Sequence, residues 1–82
     1  MSAQKQTLKD RAKVLAFIKA QGTRGATDEE IMQGLGMGPN HARPLRSQLA
    51  ERGLIHEHPQ GGRRKNRSGR FGMVWFAAGV MQ

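Results

Sequence analysis

TDEEIMQGLGMGPNHARPLRSQLAERGLI, residues 27–55, predicts two helices joined by a tight turn and followed by the start of a strand. Thr27 and Glu30 have the spacing of a capping box, which starts a helix by satisfying its first backbone donors. We therefore expect the second helix of the chain over residues 28–34. The glycines that follow allow the positive φ angles that a tight turn between helices requires.

The third helix has one apolar face and contains a proline, which is unfavourable inside a helix. The spacing i, i+3 and i+7 places three apolar residues on the side that we expect to be buried, namely Ala42, Leu45 and Leu49. Pro44 would cost about 3 kcal/mol inside a helix that begins at Pro39, whereas it falls in or near the first turn if Asn40 is the cap. We favour the start at Asn40, with Gly53 ending the helix.

A first helix precedes this unit. Thr7 followed by Asp10 resembles a helix start, and Gly22 supplies the conformation that ends a helix. Residues 1–6 are predicted to be disordered. The apolar residues that we expect in the core are Leu8, Val14, Leu15, Phe17 and Ile18 in the first helix, Ile31, Met32 and Leu35 in the second, and Met37 in the turn.

A cationic loop, GGRRKNRSGR at residues 61–70, separates two stretches that read as β-strands, residues 54–58 and 71–77. Pro59 should stop the first strand, and Trp75 is our choice for the central core residue. These patterns predict an α+β domain over residues 7–79, with three helices, a C-terminal two- or three-stranded antiparallel β-hairpin, and a tail at residues 80–82.

Composition points to a polyanionic partner. The 82 residues carry 14 Lys and Arg against 6 Asp and Glu, for a formal net charge of +8 and a pI near 11.5. Such one-sided charge favours nucleic acid over simple solubility as its explanation. Cysteine is absent, and no apolar run approaches the roughly 20 residues that span a bilayer. We expect one small domain, no membrane partner, and a location in the cytoplasm or nucleoid.

The stretch at residues 27–55, with its closing L-x-x-x-GLI, resembles the helix-turn-helix of the winged-helix superfamily, notably MarR-type regulators. The resemblance implies a winged helix-turn-helix that binds double-stranded DNA, with the third helix in the major groove and the hairpin, or wing, on the backbone or minor groove. The side chains that it implies at DNA are Asn40, His41, Arg43, Arg46 and Ser47 from the helix, and Arg63, Arg64, Lys65, Asn66, Arg67, Ser68 and Arg70 from the wing.

The side-chain chemistry suggests roles for these residues. Asn40 could read adenine or simply cap the helix, and Arg43 could read guanine. Arg46 would lie at a phosphate, and His41 would either donate to a phosphate or be exposed. The wing is rich in arginine, whose weakly hydrated planar head enters a narrow minor groove readily. These roles fit a transcriptional regulator such as a repressor, from a phage or mobile element, or a nucleoid-associated silencer.

Other functions are less well supported by the residues. Pro44 inside a reading helix would favour an adaptor that binds a host protein such as RNA polymerase. A homodimer is also open, with a seam of Phe76, Val80 and Met81. We disfavour RNA because the aromatic side chains look buried, which leaves no base-stacking platform.

Catalytic and metal chemistry are not expected. The sequence has no Ser-His-Asp grouping, no phosphate-cradling glycine motif and no paired catalytic carboxylates, so we predict neither an enzyme nor a cofactor. His56 and His58 share one face of a strand, but they lack enough companion ligands for a closed zinc site. The acidic residues 28–30 are explained by helix capping.

Overall fold

A computed structural model describes residues 3–58 and 61–79, with side chains from Thr7 onward. Within these residues, three α-helices are followed by four short strands in two antiparallel pairs. The elements are α1 Ala3–Gln21, a 3₁₀ turn Gly22–Arg24, α2 Asp28–Leu35, α3 Pro39–Glu51, β1 Ile55–Glu57, β2 Arg63–Lys65, β3 Phe71–Met73 and β4 Trp75–Ala77. The α+β fold class is confirmed, and the layout is consistent with a winged helix.

The first helix is longer than its sequence signals indicate. α1 begins at Ala3 rather than at Thr7, so most of the N-terminal segment predicted to be disordered is helical. Val14 and Ile18 are fully buried, as their four-residue spacing predicts. Leu8 was wrongly expected in the core, because 54% of its surface is exposed. At about 100° per residue it lies about 120° around the helix from Val14, beyond the edge of the packed face.

α2 follows its prediction closely. The side chain of Thr27 accepts the Glu30 N–H at 3.2 Å, and the Glu30 carboxylate accepts the Thr27 N–H at 3.1 Å, which confirms the capping box. The helix ends at Leu35, and Gly36 then adopts a left-handed φ of 66°. Ile31 is fully buried. Its partly buried neighbours are Met32, Leu35 and Met37.

α3 begins earlier in the chain than we expected. Gly38 is the N-cap and Pro39 the first helical residue, so Asn40 is not the cap and Pro44 lies inside the helix. Proline suits a first helical position, since its fixed φ fits and its missing N–H would be unpaired there anyway. Inside the helix, Pro44 has no backbone N–H, so the Asn40 carbonyl lacks the hydrogen bond that another residue at position 44 would donate. Ala42, Leu45 and Leu49 are buried as predicted. Gly53, at φ 72°, closes the helix end.

The strands form the predicted antiparallel pair and a second pair that the sequence did not predict. β1 pairs with β4, and β2 pairs with β3, both antiparallel. The segment at residues 61–70 is therefore not one loop, because it contains β2. Its turn is closed by a hydrogen bond of 2.8 Å from the Asn66 N–H to the Arg70 carbonyl. The basic residues thus lie largely on an ordered β2–β3 hairpin, residues 63–73.

Trp75 lies in the core, as predicted, with 8% of its surface exposed. It exchanges two backbone hydrogen bonds with Ala26, at 2.8 and 2.9 Å, which ties β4 to the segment before α2. Phe76 is only 4% exposed, so its side chain is buried and does not lie on an exposed surface as the suggested dimer seam would require. His56 and His58 lie against the Phe76 ring, at centroid distances of 6.1 and 6.0 Å.

Some predictions fall outside the described part of the chain. They concern the strand stop at Pro59, the tail at residues 80–82 with Val80 and Met81, and the first two residues. Among the described residues, no helix combines the length and the apolar character that a membrane crossing would require.

Candidate nucleic-acid interface

The β2–β3 hairpin has two chemically different faces. Residues directly opposite in antiparallel strands share a face, and neighbours along one strand point to opposite faces. The outer face carries four exposed side chains, which are Arg63, Lys65, Phe71 and Met73. Arg64 and Gly72 form the pair on the inner face, which packs against the start of α2. Adjacent arginines of β2 therefore have different environments.

Arg64 attaches the hairpin to the helical body. Its Nε and Nη2 donate to the two carboxylate oxygens of Glu30, both at 2.8 Å. Its Nη1 and Nη2 also donate to the backbone oxygens of Arg24 and Gly25, at 3.1 and 3.0 Å. Arg64 was predicted at DNA, but the structure turns its guanidinium toward the protein.

The turn of the hairpin is held by the same end of α2. The Thr27 hydroxyl donates to the Asn66 side-chain oxygen at 2.6 Å, and the Ser68 hydroxyl donates to a Glu29 oxygen at 2.8 Å. A Cβ on Gly72 would lie 2.9 Å from the Asn66 amide nitrogen, so glycine permits this close approach. Asn66 and Ser68, both predicted at DNA, thus have intramolecular partners.

The acidic start of α2 does more than cap the helix. Asp28 accepts two hydrogen bonds from Arg46, both at 2.8 Å, and Arg43 lies 3.9 Å away with 61% of its side chain exposed. Residues 28–30 therefore bind side chains of both α3 and the hairpin. Capping alone, as inferred from the sequence, explains only part of their role.

The pKa of Glu30 reflects these contacts. Burial disfavours its ionised form and by itself would raise its pKa. The hydrogen bonds from Arg64 and from the Thr27 N–H, together with the charges of Arg64 and Arg24, outweigh burial, so the pKa of Glu30 is lowered. The carboxylate is therefore ionised at neutral pH and paired with the hairpin.

α3 presents a mixed set of predicted contacts. The Arg46 guanidinium lies 4.5 Å from the centre of the Trp75 ring as well as on Asp28, and its side chain is 20% exposed. His41 Nε2 lies 2.6 Å from Asp10, a contact that joins α3 to α1. Four of the five predicted residues of α3 are exposed on its surface: Asn40, His41, Arg43 and Ser47.

A cleft of about 180 Å³ runs between α3 and the edge of β3. Arg43 and Arg46 line it from the helix, Arg70, Phe71 and Met73 line it from the hairpin, and Asp28 and Glu29 line it from the start of α2. The structure therefore brings predicted residues of both elements to one surface. The remaining exposed cations of the hairpin are Arg63, Lys65 and Arg67.

Two features of this surface were not predicted from the sequence. Phe71 was expected to be buried, yet 68% of its surface is exposed, and Met73 is 39% exposed. Apolar residues on both faces of the predicted strand gave no indication of which face would be covered. The acidic partners of the hairpin were also missed, because nothing in a local pattern links residues so far apart in the chain.

Comparison with known proteins gives no relative to draw on. No protein-family model, curated protein or solved structure matches the chain. The chemistry of α3 and the hairpin is therefore the basis for a functional assignment.

Proposed function

We propose that this protein binds double-stranded DNA as a small winged-helix protein of the MarR-like type. In this proposal the exposed side of α3 contacts the major groove, and the hairpin contacts the adjacent backbone or minor groove. Its role would be that of a transcriptional regulator or a nucleoid-associated silencer.

The observation that carries the proposal is the shared cleft between α3 and β3. Arg43 from the helix and Arg70 from the hairpin line the same cleft, so cations of both elements can contact one duplex. The hairpin adds further exposed cations at Arg63, Lys65 and Arg67, and residues 61–73 contain no acidic residue. Duplex DNA carries its charge along a continuous backbone that such a surface can follow.

The residues proposed at DNA are fewer than the sequence suggested. Asn40, Arg43 and Ser47 are exposed on α3 and suit base or phosphate contacts. Arg64 is excluded because its guanidinium is bound to Glu30 and to backbone oxygens. Asn66 positions the turn through its bond to Thr27, so its proposed effect on DNA is indirect.

Salt-dependent binding of labelled duplexes, followed by fluorescence anisotropy, tests the proposal. Each phosphate contact contributes about −0.9 to the slope of log K against log salt. The double variant Arg63→Gln and Lys65→Gln should therefore make the slope shallower by about 1.8. The matched control is Lys9→Gln with Lys19→Gln, which removes the same charge from exposed positions of α1.

The control decides whether local position or total charge matters. We expect the α1 variant to keep the parent slope, because its lysines lie on a different element. Equal losses in the two variants would show that only net charge attracts DNA, and absence of duplex binding by the parent would reject the proposal.

A second candidate function is an adaptor that binds a protein of the transcription machinery, such as RNA polymerase. The observation that favours it is Pro44 inside α3, because proline interrupts the backbone bonding of the helix that would read DNA. Purified RNA polymerase that binds the parent, combined with no duplex affinity, would favour this function.

A further inference from the structure

The outer face of the hairpin exposes an aromatic ring that the core does not use. Phe71 is 68% exposed and Met73, two residues along the same strand, is 39% exposed. A strand places residues i and i+2 on one face, so the two side chains form one apolar strip. Buried Trp75 and Phe76, by comparison, lie on β4 within the core.

Cations flank this strip. Lys65 is the cross-strand partner of Phe71, and Arg63 is the partner of Met73. Directly opposite residues have Cβ atoms about 4.5–5.5 Å apart, so each apolar side chain has a basic side chain beside it. An apolar peptide would have to desolvate these charges without compensating them. A ligand with flat apolar faces and a negative backbone satisfies both kinds of group.

Unpaired nucleotides have this combination of properties. In a duplex the base faces are stacked on one another, and only base edges and phosphates are accessible. In a single strand each base exposes its π-face, which stacks on aromatic side chains while basic residues follow the phosphates. The strip of Phe71 and Met73 with its cations therefore fits a single strand better than it fits a closed duplex.

Intramolecular contacts hold this surface in place before any ligand binds. The inner face of the same hairpin is tied to α2 by Arg64 with Glu30, and the turn is tied by Ser68 with Glu29. A stacking surface that is already ordered loses little conformational freedom when a base binds.

We propose that the outer face of the β2–β3 hairpin is a stacking surface for unpaired bases, with Phe71 beneath the base and Arg63 and Lys65 on the flanking phosphates. The preferred ligand is then DNA in which a single strand adjoins a duplex, because the stacking surface binds the single strand and α3 binds the duplex. This choice of ligand rests on the proposed function. The cleft beside β3 connects this face to α3, so both parts of such a ligand can be bound by one molecule.

Binding to three DNA ligands tests this inference: a blunt duplex, the same duplex with a single-stranded tail, and the tail alone. We expect the tail to raise affinity about tenfold, as stacking of one base would. Phe71→Leu, which keeps an apolar side chain but no π-face, should remove that gain, so that the tailed duplex binds no more tightly than the blunt duplex. Phe71→Trp should retain the gain, and quenching of the new indole emission by the tail would report stacking directly.

Leu8→Ala is the matched control, because Leu8 is also an exposed apolar residue but lies on α1. It should bind all three ligands as the parent does. An RNA tail of the same sequence shows whether the surface prefers ribose or deoxyribose. A Phe71-dependent gain in affinity with either polymer supports stacking.

The two proposals fail in different ways. No gain from the tail, or a gain that survives Phe71→Leu, would overturn the stacking surface while blunt-duplex binding still supported the proposed function. Phe71-dependent binding of the tail without binding of the blunt duplex would support stacking and reject the duplex proposal. If Phe71→Leu changes only the sedimentation of the protein, the strip is an interface between copies, and the stacking proposal is overturned.

Discussion

Arg63 and Arg64 are neighbours in sequence, but their substitution by alanine should have different effects. Arg64 donates four hydrogen bonds of 2.8–3.1 Å to Glu30 and to two backbone oxygens. Arg63 lies on the exposed outer face. We therefore expect Arg64→Ala to lower the free energy of unfolding and Arg63→Ala to lower the salt dependence of DNA binding.

The size of the stability loss follows from the exposure of the ion pair. Exposed pairs contribute about 0.2–1 kcal/mol, whereas breaking a buried pair costs about 3–5 kcal/mol. The side chains of Arg64 and Glu30 are 27% and 24% exposed, which places their pair between these limits. We expect a loss of about 2 kcal/mol, equivalent to a fall in Tm of about 8–16 °C for a domain of this size.

Thermal and urea denaturation measure the stability effects of the two variants. Arg63→Ala should change the free energy of unfolding by less than about 0.5 kcal/mol, as exposed substitutions usually do. In anisotropy titrations it should make the salt slope shallower by about 0.9. Equal destabilisation by the two substitutions, or an unchanged Tm for Arg64→Ala, would refute the assignment of these side chains to opposite faces.

Three further predictions concern stability. Gly25→Ala should cost at least about 2 kcal/mol, because φ is 68° and the new Cβ would lie 2.7 Å from a backbone oxygen of β4. Gly36→Ala, at φ 66° in open space, should cost only about 1 kcal/mol, and equal losses in urea would contradict the packing argument. Pro44→Ala should add about 1–2 kcal/mol, because the Asn40 carbonyl regains a helical donor; a loss in urea denaturation would count against this. Folding lowers the pKa of Glu30 from its ordinary value of 4.5, so the stabilisation by its carboxylate is complete above that value and is lost as pH falls through the folded pKa. The parent should therefore lose stability in acid relative to Glu30→Gln, whereas parallel pH profiles would argue against the pairing.

Signals that act within about two helical turns were read correctly from the sequence. The Thr27 and Glu30 capping box, the buried face of α3 and the helix end at Gly53 each depend on residues only a few positions apart. The start of α3 was misjudged because Pro39 and Asn40 both carry start signals, and the cost of a proline inside a helix favoured the later start.

Features that depend on distant residues were not predictable in the same way. β2 consists of Arg63–Lys65, which has no apolar alternation to indicate a strand. The contacts of Arg64 and Ser68 with α2 join positions 34 and 39 apart in the chain. Phe71 is likewise exposed because the other face of the hairpin packs against α2. The alternation of side chains along a strand separates two faces but does not indicate which face is buried.

The inward pairing of carboxylates affects what an approaching polyanion encounters. Of the six acidic side chains, four have intramolecular partners: Asp10, Asp28, Glu29 and Glu30. The other two, Glu51 and Glu57, are exposed and lie on α3 and β1. At distances shorter than the screening length of about 8 Å, a phosphate chain on the outer face of the hairpin would meet the positive charges of Arg63 and Lys65. Because Arg46 and Arg64 pair with two of these acids, the positive charge left exposed on the hairpin is that of Arg63, Lys65, Arg67 and Arg70, in a segment, residues 61–73, that contains no acid.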